Sequence, residues 1–388
     1  MKNVAALCLL LLLTACAIVP VAPTPATHLF ADTLFSPPSV AIQADDVFRL
    51  SEAMKHYLQA DIAKQLKSKD PQGALFEALY HEGQLKLEYD AELTRNAAET
   101  FQARSGNCLS LAIMTAAFAK ELGLKVQFQK IFTEESWSRN NGIFFASGHV
   151  NIVLGASTSQ MRDRHEILNS MTIDFFPTNA IHRQRASPIT ELTITAMYMN
   201  NRAAESLVRG QVDDAYWWTR EAIKQDATFV SAYNTLGVIY RRRGNATGAE
   251  QVFNHVLAIE PQNVQTLSNL ALLLRDQGRL TEAGVLTARL ERLQPNPPYY
   301  YFDLGQVAMH DGDYAQAKSL FLKEVNRDEF NHEFQFWLSL AYFKLGDTEQ
   351  AKKHMGKAMK NSNTRKEHDL YAAKLERLSS LREQSRLQ

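Results

Sequence analysis

The side chain best suited to covalent chemistry in this sequence is a cysteine without a partner. Three cysteines occur, Cys8, Cys16 and Cys108. Cys8 lies inside an apolar N-terminal run and Cys16 shortly after it, so the chain beyond residue 16 keeps one thiol. With Lys2 ahead of it and Val4 to Leu13 as its apolar body, that run reads as a secretory leader, too short to anchor stably across a bilayer. Such a leader delivers the chain to a compartment where cysteines normally pair, and Cys108 has nothing to pair with. It is therefore a candidate nucleophile. The alternative is a small buried hydrophobe, since free cysteine is among the most buried residue types.

Position favours chemistry. The surroundings read Phe101-Gln-Ala-Arg-Ser-Gly-Asn-Cys108-Leu-Ser-Leu-Ala, followed by a helical pattern to Leu122 and a stop at Gly123. The thiol thus opens a helix, where unpaired N–H groups and the macrodipole favour the thiolate. Beyond this helix the periodicity changes. Lys125 to Phe132 alternates polar and apolar residues as a half-buried strand does; Phe144 to Leu154 contains a second strand and Ile167 to Phe176 a third. The order predicts an antiparallel sheet against one helix, with His149 on the second strand and Asp174 on the third. From Asp46 to Gln102 the pattern is helical, with breaks at Asp70-Pro71 and near Asp90.

A chain of 388 residues suggests two or three domains. Basic and acidic residues balance at 42 each, so no charge excess argues for nucleic acid, and no second long apolar run follows the leader. Leu13-Thr14-Ala15-Cys16 resembles the lipobox of bacterial lipoproteins, which implies cleavage before Cys16 and a lipid on its thiol. Ala17 follows, rather than the aspartate that retains such proteins in the inner membrane, and this favours the outer membrane. Residues 17–45, with Pro20, Pro23, Pro25, Pro37 and Pro38, read as an extended tether.

The C-terminal half carries a repeat. Glycines recur at Gly210, Gly244, Gly278, Gly312 and Gly346, 34 residues apart, with alanines in step at Ala215, Ala249, Ala283, Ala317 and Ala351. This resembles the tetratricopeptide repeat. Tyr233, Leu236, Gly237, Tyr240, Ala249, Phe253 and Pro261 fall at its signature positions, while Ala271 and Ser339 replace the first-helix glycine elsewhere. Five repeats over 196–365 and a capping helix over 366–388 are expected to form an all-α solenoid.

The segment from Arg95 to Asn179 resembles the transglutaminase-like superfamily. Arg104-Ser-Gly-Asn-Cys108-Leu-Ser-Leu-Ala is similar to its nucleophile helix, Gly148-His149-Val-Asn-Ile-Val to its histidine strand, and Thr172-Ile-Asp174-Phe-Phe-Pro177 to its aspartate strand. The resemblance implies an α+β, papain-like domain over 46–190, with Cys108 as nucleophile, His149 as base and Asp174 as the carboxylate that orients it. A bacterial branch of the superfamily carries the same fusion to tetratricopeptide repeats. Papain-like enzymes also place a glutamine upstream of the cysteine, which makes Gln102 a candidate oxyanion donor. Two departures stand out: Val150-Asn151 replaces the usual Ala-Trp, and Thr133 to Gly142 reads as a polar surface insertion that could act as a lid.

The implied chemistry is acyl transfer. An imidazole takes the thiol proton, the thiolate attacks an amide carbonyl, and N–H donors such as that of Cys108 receive the developing oxyanion. The expected activity is hydrolysis of a peptide or isopeptide through a thioester, with transfer to an amine if water is excluded. The other reading, from a different class, is a non-catalytic periplasmic adaptor. No metal-ligand spacing, phosphate loop or cofactor motif occurs. By resemblance, the concave groove of the repeats would be lined by Asn200, Asn234 and Arg241 early on and by Tyr299, Phe302, Phe336 and Phe343 later. That set does not match the lysine–asparagine clamp some such domains use, and it suits an extended or apolar peptide. A protein or peptide in the groove and a membrane at the lipid are the expected partners.

Overall fold

The structure, a computed structural model, describes residues 24–80, 85, 87–90, 93–140, 143–157, 170–175, 185–362 and 364–386. The leader and Cys16 lie outside the described residues, as does Pro177. Among the described residues no helix is long and apolar enough to cross a membrane.

The N-terminal domain begins with α1 (Glu52–Tyr57), which continues through a π turn over Leu58–Ile62 into the short α2 (Ala63–Gln65). Helix α3 (Pro71–Tyr80) starts at the expected Asp70-Pro71 break. Near Asp90 the chain makes a strand instead of a helix. There β1 (Glu88–Tyr89) pairs in parallel with β2 (Ser105–Gly106), which follows α4 (Ala97–Ala103). The helix that carries Cys108, α5 (Cys108–Glu121), is buried along nearly its whole length from Leu109 to Ala119. A helix apolar all round must be covered on every side.

What covers α5 includes a four-stranded antiparallel sheet ordered β5-β4-β3-β6. Its strands are β3 (Leu124–Asn140), β4 (Ile143–Ser157), β5 (Met171–Ile173) and β6 (Arg185–Ile189). Val150, Ile152 and Leu154 alternate along β4 as fully buried residues, the period of two that the sequence displays. The expected insertion at 133–142 is a continuation of both strands. After a register shift, Ser136 pairs with Ser147 and Asn140 with Ile143, so the hairpin extends as an arm well beyond His149. Strand β6 has no counterpart in the sequence reading; its proline, Pro188, sits on the edge of the sheet, where a missing N–H is tolerated.

Ten helices form the five repeats. They are α6 (Glu191–Val208), α7 (Val212–Gln225), α8 (Val230–Arg243), α9 (Ala246–Ile259), α10 (Val264–Asp276), α11 (Leu280–Leu293), α12 (Tyr300–His310), α13 (Tyr314–Arg327), α14 (His332–Lys344) and α15 (Thr348–Lys360). Helix α16 (Arg365–Arg386) follows, and its Tyr371 packs against the last repeat. The five periodic glycines turn the chain with φ between 75° and 82°, a region only glycine enters at no cost. Gly237 serves differently: a Cβ there would stand 2.3 Å from Phe253 Cε1, so its absence lets α8 and α9 close on each other.

The proline-rich N-terminus is not a free tether in its described part. Residues 26–39 lie along α7 and α8. The Phe35 ring stacks on Tyr216 at 3.9 Å, and the Tyr240 hydroxyl donates to the Leu29 carbonyl at 2.6 Å. Trp217 Nε1 donates to the Ser36 carbonyl, and the Ser39 amide donates to Asp214. Leu29 and Phe35 are buried by this contact. Proline sets an extended backbone, but two apolar side chains with receptors some 180 residues away decide where it goes. One apolar core therefore runs from Leu29 and the N-terminal domain through the first three repeats to Ala283.

Candidate active site

Local sequence fixes the start of α5. Asn107 is its N-cap, accepting the Ser110 N–H at 2.9 Å, which places Cys108 at the first helical position. Gly106, one residue earlier, has no room for a side chain, because a Cβ would meet Ser110 Cβ at 2.7 Å. The strand pair β1–β2 thus rests directly on the helix start. Cys108 itself is a free, half-buried thiol.

The three residues that the sequence pairs with this chemistry come together. His149 Nε2 lies 2.6 Å from Asp174 Oδ1, the histidine buried and the carboxylate partly so. The Cys108 side chain is a further neighbour of the imidazole and acts on its charge. Burial alone would lower the pKa of His149. It is outweighed by the hydrogen bonds to Asp174 and Cys108 and by their negative charge, which lift it to about 9. A neutral-pH imidazolium between a carboxylate and a thiol is the charge state that stabilises a thiolate. Phe175, next to Asp174, packs on Tyr80 of α3, whose hydroxyl bonds Thr115 on α5 at 2.6 Å. The carboxylate strand is thereby tied to the helix that carries the thiol.

Other residues belong to this site although no sequence pattern marks them. Tyr89 lies opposite Gly106 in the β1–β2 register, half-buried, and the charge of Cys108 acts on its phenol. Burial, then the charges of Cys108 and Asp90, push its pKa far up, so it remains an O–H donor. Asp90 fixes that strand through its N–H to the Gly106 carbonyl and its ion pair with Arg95 at 2.9 Å. Thr94 links the helix cap to the repeats: its hydroxyl accepts from Asn107 Nδ2 at 2.9 Å, and its N–H donates to Glu205 of α6 at 2.7 Å. These contacts join short segments distant in sequence, which periodicity cannot reveal.

Gln102 does not join the group. It is exposed near the end of α4. The expected groove residues also need correction. Tyr299 and Phe302 are buried core of the fourth repeat, packed with Phe334. Phe336 packs on Tyr371 of the capping helix. Asn234 accepts from Thr266 and Asn269 of the next repeat, and Arg241 pairs with Asp276 at 2.7 Å. Asn200 has a buried side-chain oxygen. Of the set, Phe343 alone is an exposed large apolar residue. Tyr299, Phe302 and Phe336 close seams within and beside the last two repeats and are not presented to a ligand. Among the described residues no group of three or more His, Cys, Asp or Glu could hold a metal ion.

Family models place tetratricopeptide repeats at residues 240–302 and 302–352. The chain is 28% identical over 127 residues to the type IV pilus assembly protein PilF of Pseudomonas aeruginosa, covering 32% of this chain and 50% of that protein. It is 26% identical over 155 residues to the TPR repeat-containing protein YvcD of Bacillus subtilis, covering 39% and 31%. The chain therefore spans half or less of the length of these relatives. Among solved structures, a thermophilic TPR protein of Thermus thermophilus aligns at 17% identity with a TM-score of 0.29, covering 46% of this chain and 97% of that one. The Pseudomonas aeruginosa pilF structure aligns at 19% identity with a TM-score of 0.29, covering 48% and 86%. The C-terminal half of the chain is a tetratricopeptide-repeat solenoid, the kind of scaffold that binds proteins.

Proposed function

We propose that this protein is a repeat scaffold with a cysteine acyl-transfer site of the transglutaminase-like type in its N-terminal domain, anchored in a bacterial envelope through a lipid on Cys16. The observation that carries the catalytic part is the Cys108–His149–Asp174 arrangement, with His149 bound to Asp174 through Nε2 at 2.6 Å and Cys108 acting on the same imidazole. The Cys108 thiolate attacks an amide carbonyl carbon. The Cys108 N–H and the Tyr89 O–H are the donors for the resulting oxyanion. His149 passes its proton to the departing amine, leaving a thioester on Cys108. Water then attacks the thioester, His149 takes its proton, and the carboxylic acid leaves as the thiolate re-forms. An amine in place of water would give a cross-link by the same steps. Asp174 holds the imidazole in the tautomer and orientation both halves need. The repeats hold the protein that carries the amide. Envelope placement rests on the leader and the Leu-Thr-Ala-Cys16 sequence.

The competing reading is an adaptor that keeps the same fold and binds without catalysis. It draws support from the comparisons, which match the chain through its repeats. The two readings are separated by incubating the protein with peptide and isopeptide amides and measuring the intact mass. Catalysis requires an acyl adduct on Cys108, released by hydroxylamine and absent from Cys108→Ser. No adduct and no amide cleavage across the panel would leave the adaptor standing.

A further inference from the structure

The array is not continuous. The core that starts in the N-terminal domain ends at Ala283 of α11, and a separate core begins at Tyr299 and runs through Phe302 and Phe321 to Ala341. The 34-residue register shows what is missing between them. Leu236, Leu270 and Leu338 occupy one first-helix position in repeats two, three and five, and all are buried; their counterpart in the fourth repeat, Leu304, is 42% exposed. Three residues on, Ile239, Leu273 and Ala341 are buried, whereas Val307 is 59% exposed. On the facing side, Ala283 is the one buried residue of α11. Leu290 is half-buried, although its counterparts Ala222, Val256, Glu324 and Ala358 are buried. The seam between the third and fourth repeats has apolar faces on both sides and stands open.

The linker explains why it does not close on itself. Pro297 and Pro298 lead into a tight turn closed by the Tyr300 N–H on the Pro297 carbonyl at 3.1 Å, with each proline fixing its own φ. Tyr299 follows with φ 66°, a left-handed value that a bulky residue adopts only under constraint. Arg327 of the fourth repeat grips the carbonyls of Asn296 at 2.9 Å and Pro297 at 3.3 Å, so this stretch moves with the C-terminal repeats.

We propose that a second copy of the chain covers this seam. The unit from Tyr299 onward of one chain stacks on α11 of the other, and reciprocally. The argument for this occupant is complementarity: the two open faces are the two halves of one inter-repeat seam, spaced by the same register that closes the others. An exchange with two-fold symmetry closes both seams at once and adds no new kind of contact. A foreign partner would have to imitate a repeat helix on each side.

The test uses the full chain, of 43.8 kDa. Sedimentation across a concentration series should give twice the monomer mass, and Val307→Asp or Leu304→Asp should return it to the monomer. Both side chains are exposed in the single chain, so circular dichroism should stay unchanged. In addition, chains carrying Leu290→Cys and chains carrying Leu304→Cys are mixed and oxidised, and the disulfide is mapped by mass spectrometry. A link between residues 290 and 304 of different chains supports the exchange. A wild-type monomer at every concentration, a dimer unaffected by either aspartate, or a 290–304 link formed only within a chain bearing both substitutions would overturn it.

Discussion

His149 donates its Nε2 proton to Asp174 Oδ1 across 2.6 Å, and this contact holds the imidazole whose charge Cys108 also favours. The thiol and the carboxylate therefore both act on one imidazole. Because the pKa of His149 rises to about 9 on folding, the imidazolium form is favoured in the folded state. Its contribution to stability is fully present below the unfolded value of 6.5 and disappears as pH rises through about 9.

Asp174→Asn keeps the shape of the side chain and removes its charge. His149 then loses part of what lifts its pKa, and the imidazole can take the other tautomer. Alkylation of Cys108 at pH 7 should slow by about ten-fold or more, with little change in melting temperature. Stopped-flow alkylation beside a thermal melt checks this; an unchanged rate in a folded variant would remove Asp174 from the site.

Glu205 couples the first repeat to the start of α5 through Thr94. Burial raises its carboxyl above the usual range, against the hydrogen bonds from Thr94, so ionised Glu205 is costly to bury. The stability it adds is present below its unfolded pKa and is lost as pH rises through the folded one. Glu205→Gln, which keeps an acceptor for Thr94, should be neutral or slightly stabilising at pH 7. Glu205→Ala leaves the Thr94 N–H unmet and should cost about 1–3 kcal/mol. If the cap carries the coupling, the alanine variant also slows Cys108 alkylation, and the glutamine variant does not.

The repeats were the most legible part of this sequence, because Gly210, Gly244, Gly278, Gly312 and Gly346 report a backbone requirement that only glycine meets. The helix start at Cys108 was legible for a similar local reason, the Asn107 cap, and alternation along β4 placed His149 correctly on a strand. Non-local contacts were hidden. Nothing near Phe35 says that Tyr216 will receive it, and nothing near Tyr89 says that Cys108 lies beside it. Tyr299 and Phe302 show a different failure: composition cannot separate an aromatic that lines a groove from one that fills a seam, since both need the same side chain on the same helix.

The strap formed by residues 26–39 should stabilise the first two repeats. Phe35→Ala removes a buried ring stacked on Tyr216 and should cost about 2–4 kcal/mol, somewhat below a deep core site. Limited proteolysis should then cut the chain ahead of Ser39 faster than in wild type. Equal cleavage rates would mean the strap is not held by that ring.

His354, buried against Tyr342 and bonded to Gln335 through Nδ1 at 2.7 Å, is kept neutral. Burial, then Lys357 and Lys353, lower its pKa to about 4 from 6.5. The stability it contributes is present above 6.5 and is lost as pH falls toward 4, on the order of 1–3 kcal/mol. Hydrogen exchange over α14 and α15 should quicken across that window in wild type and far less in His354→Gln.

The central claim, that Cys108 is an activated nucleophile, is tested most directly by its alkylation rate as a function of pH, read by mass spectrometry at that residue in wild type and His149→Ala. The account predicts that near neutral pH wild-type Cys108 is alkylated about ten-fold or more faster than in a folded His149→Ala variant. Equal alkylation rates in the two proteins at every pH would contradict it.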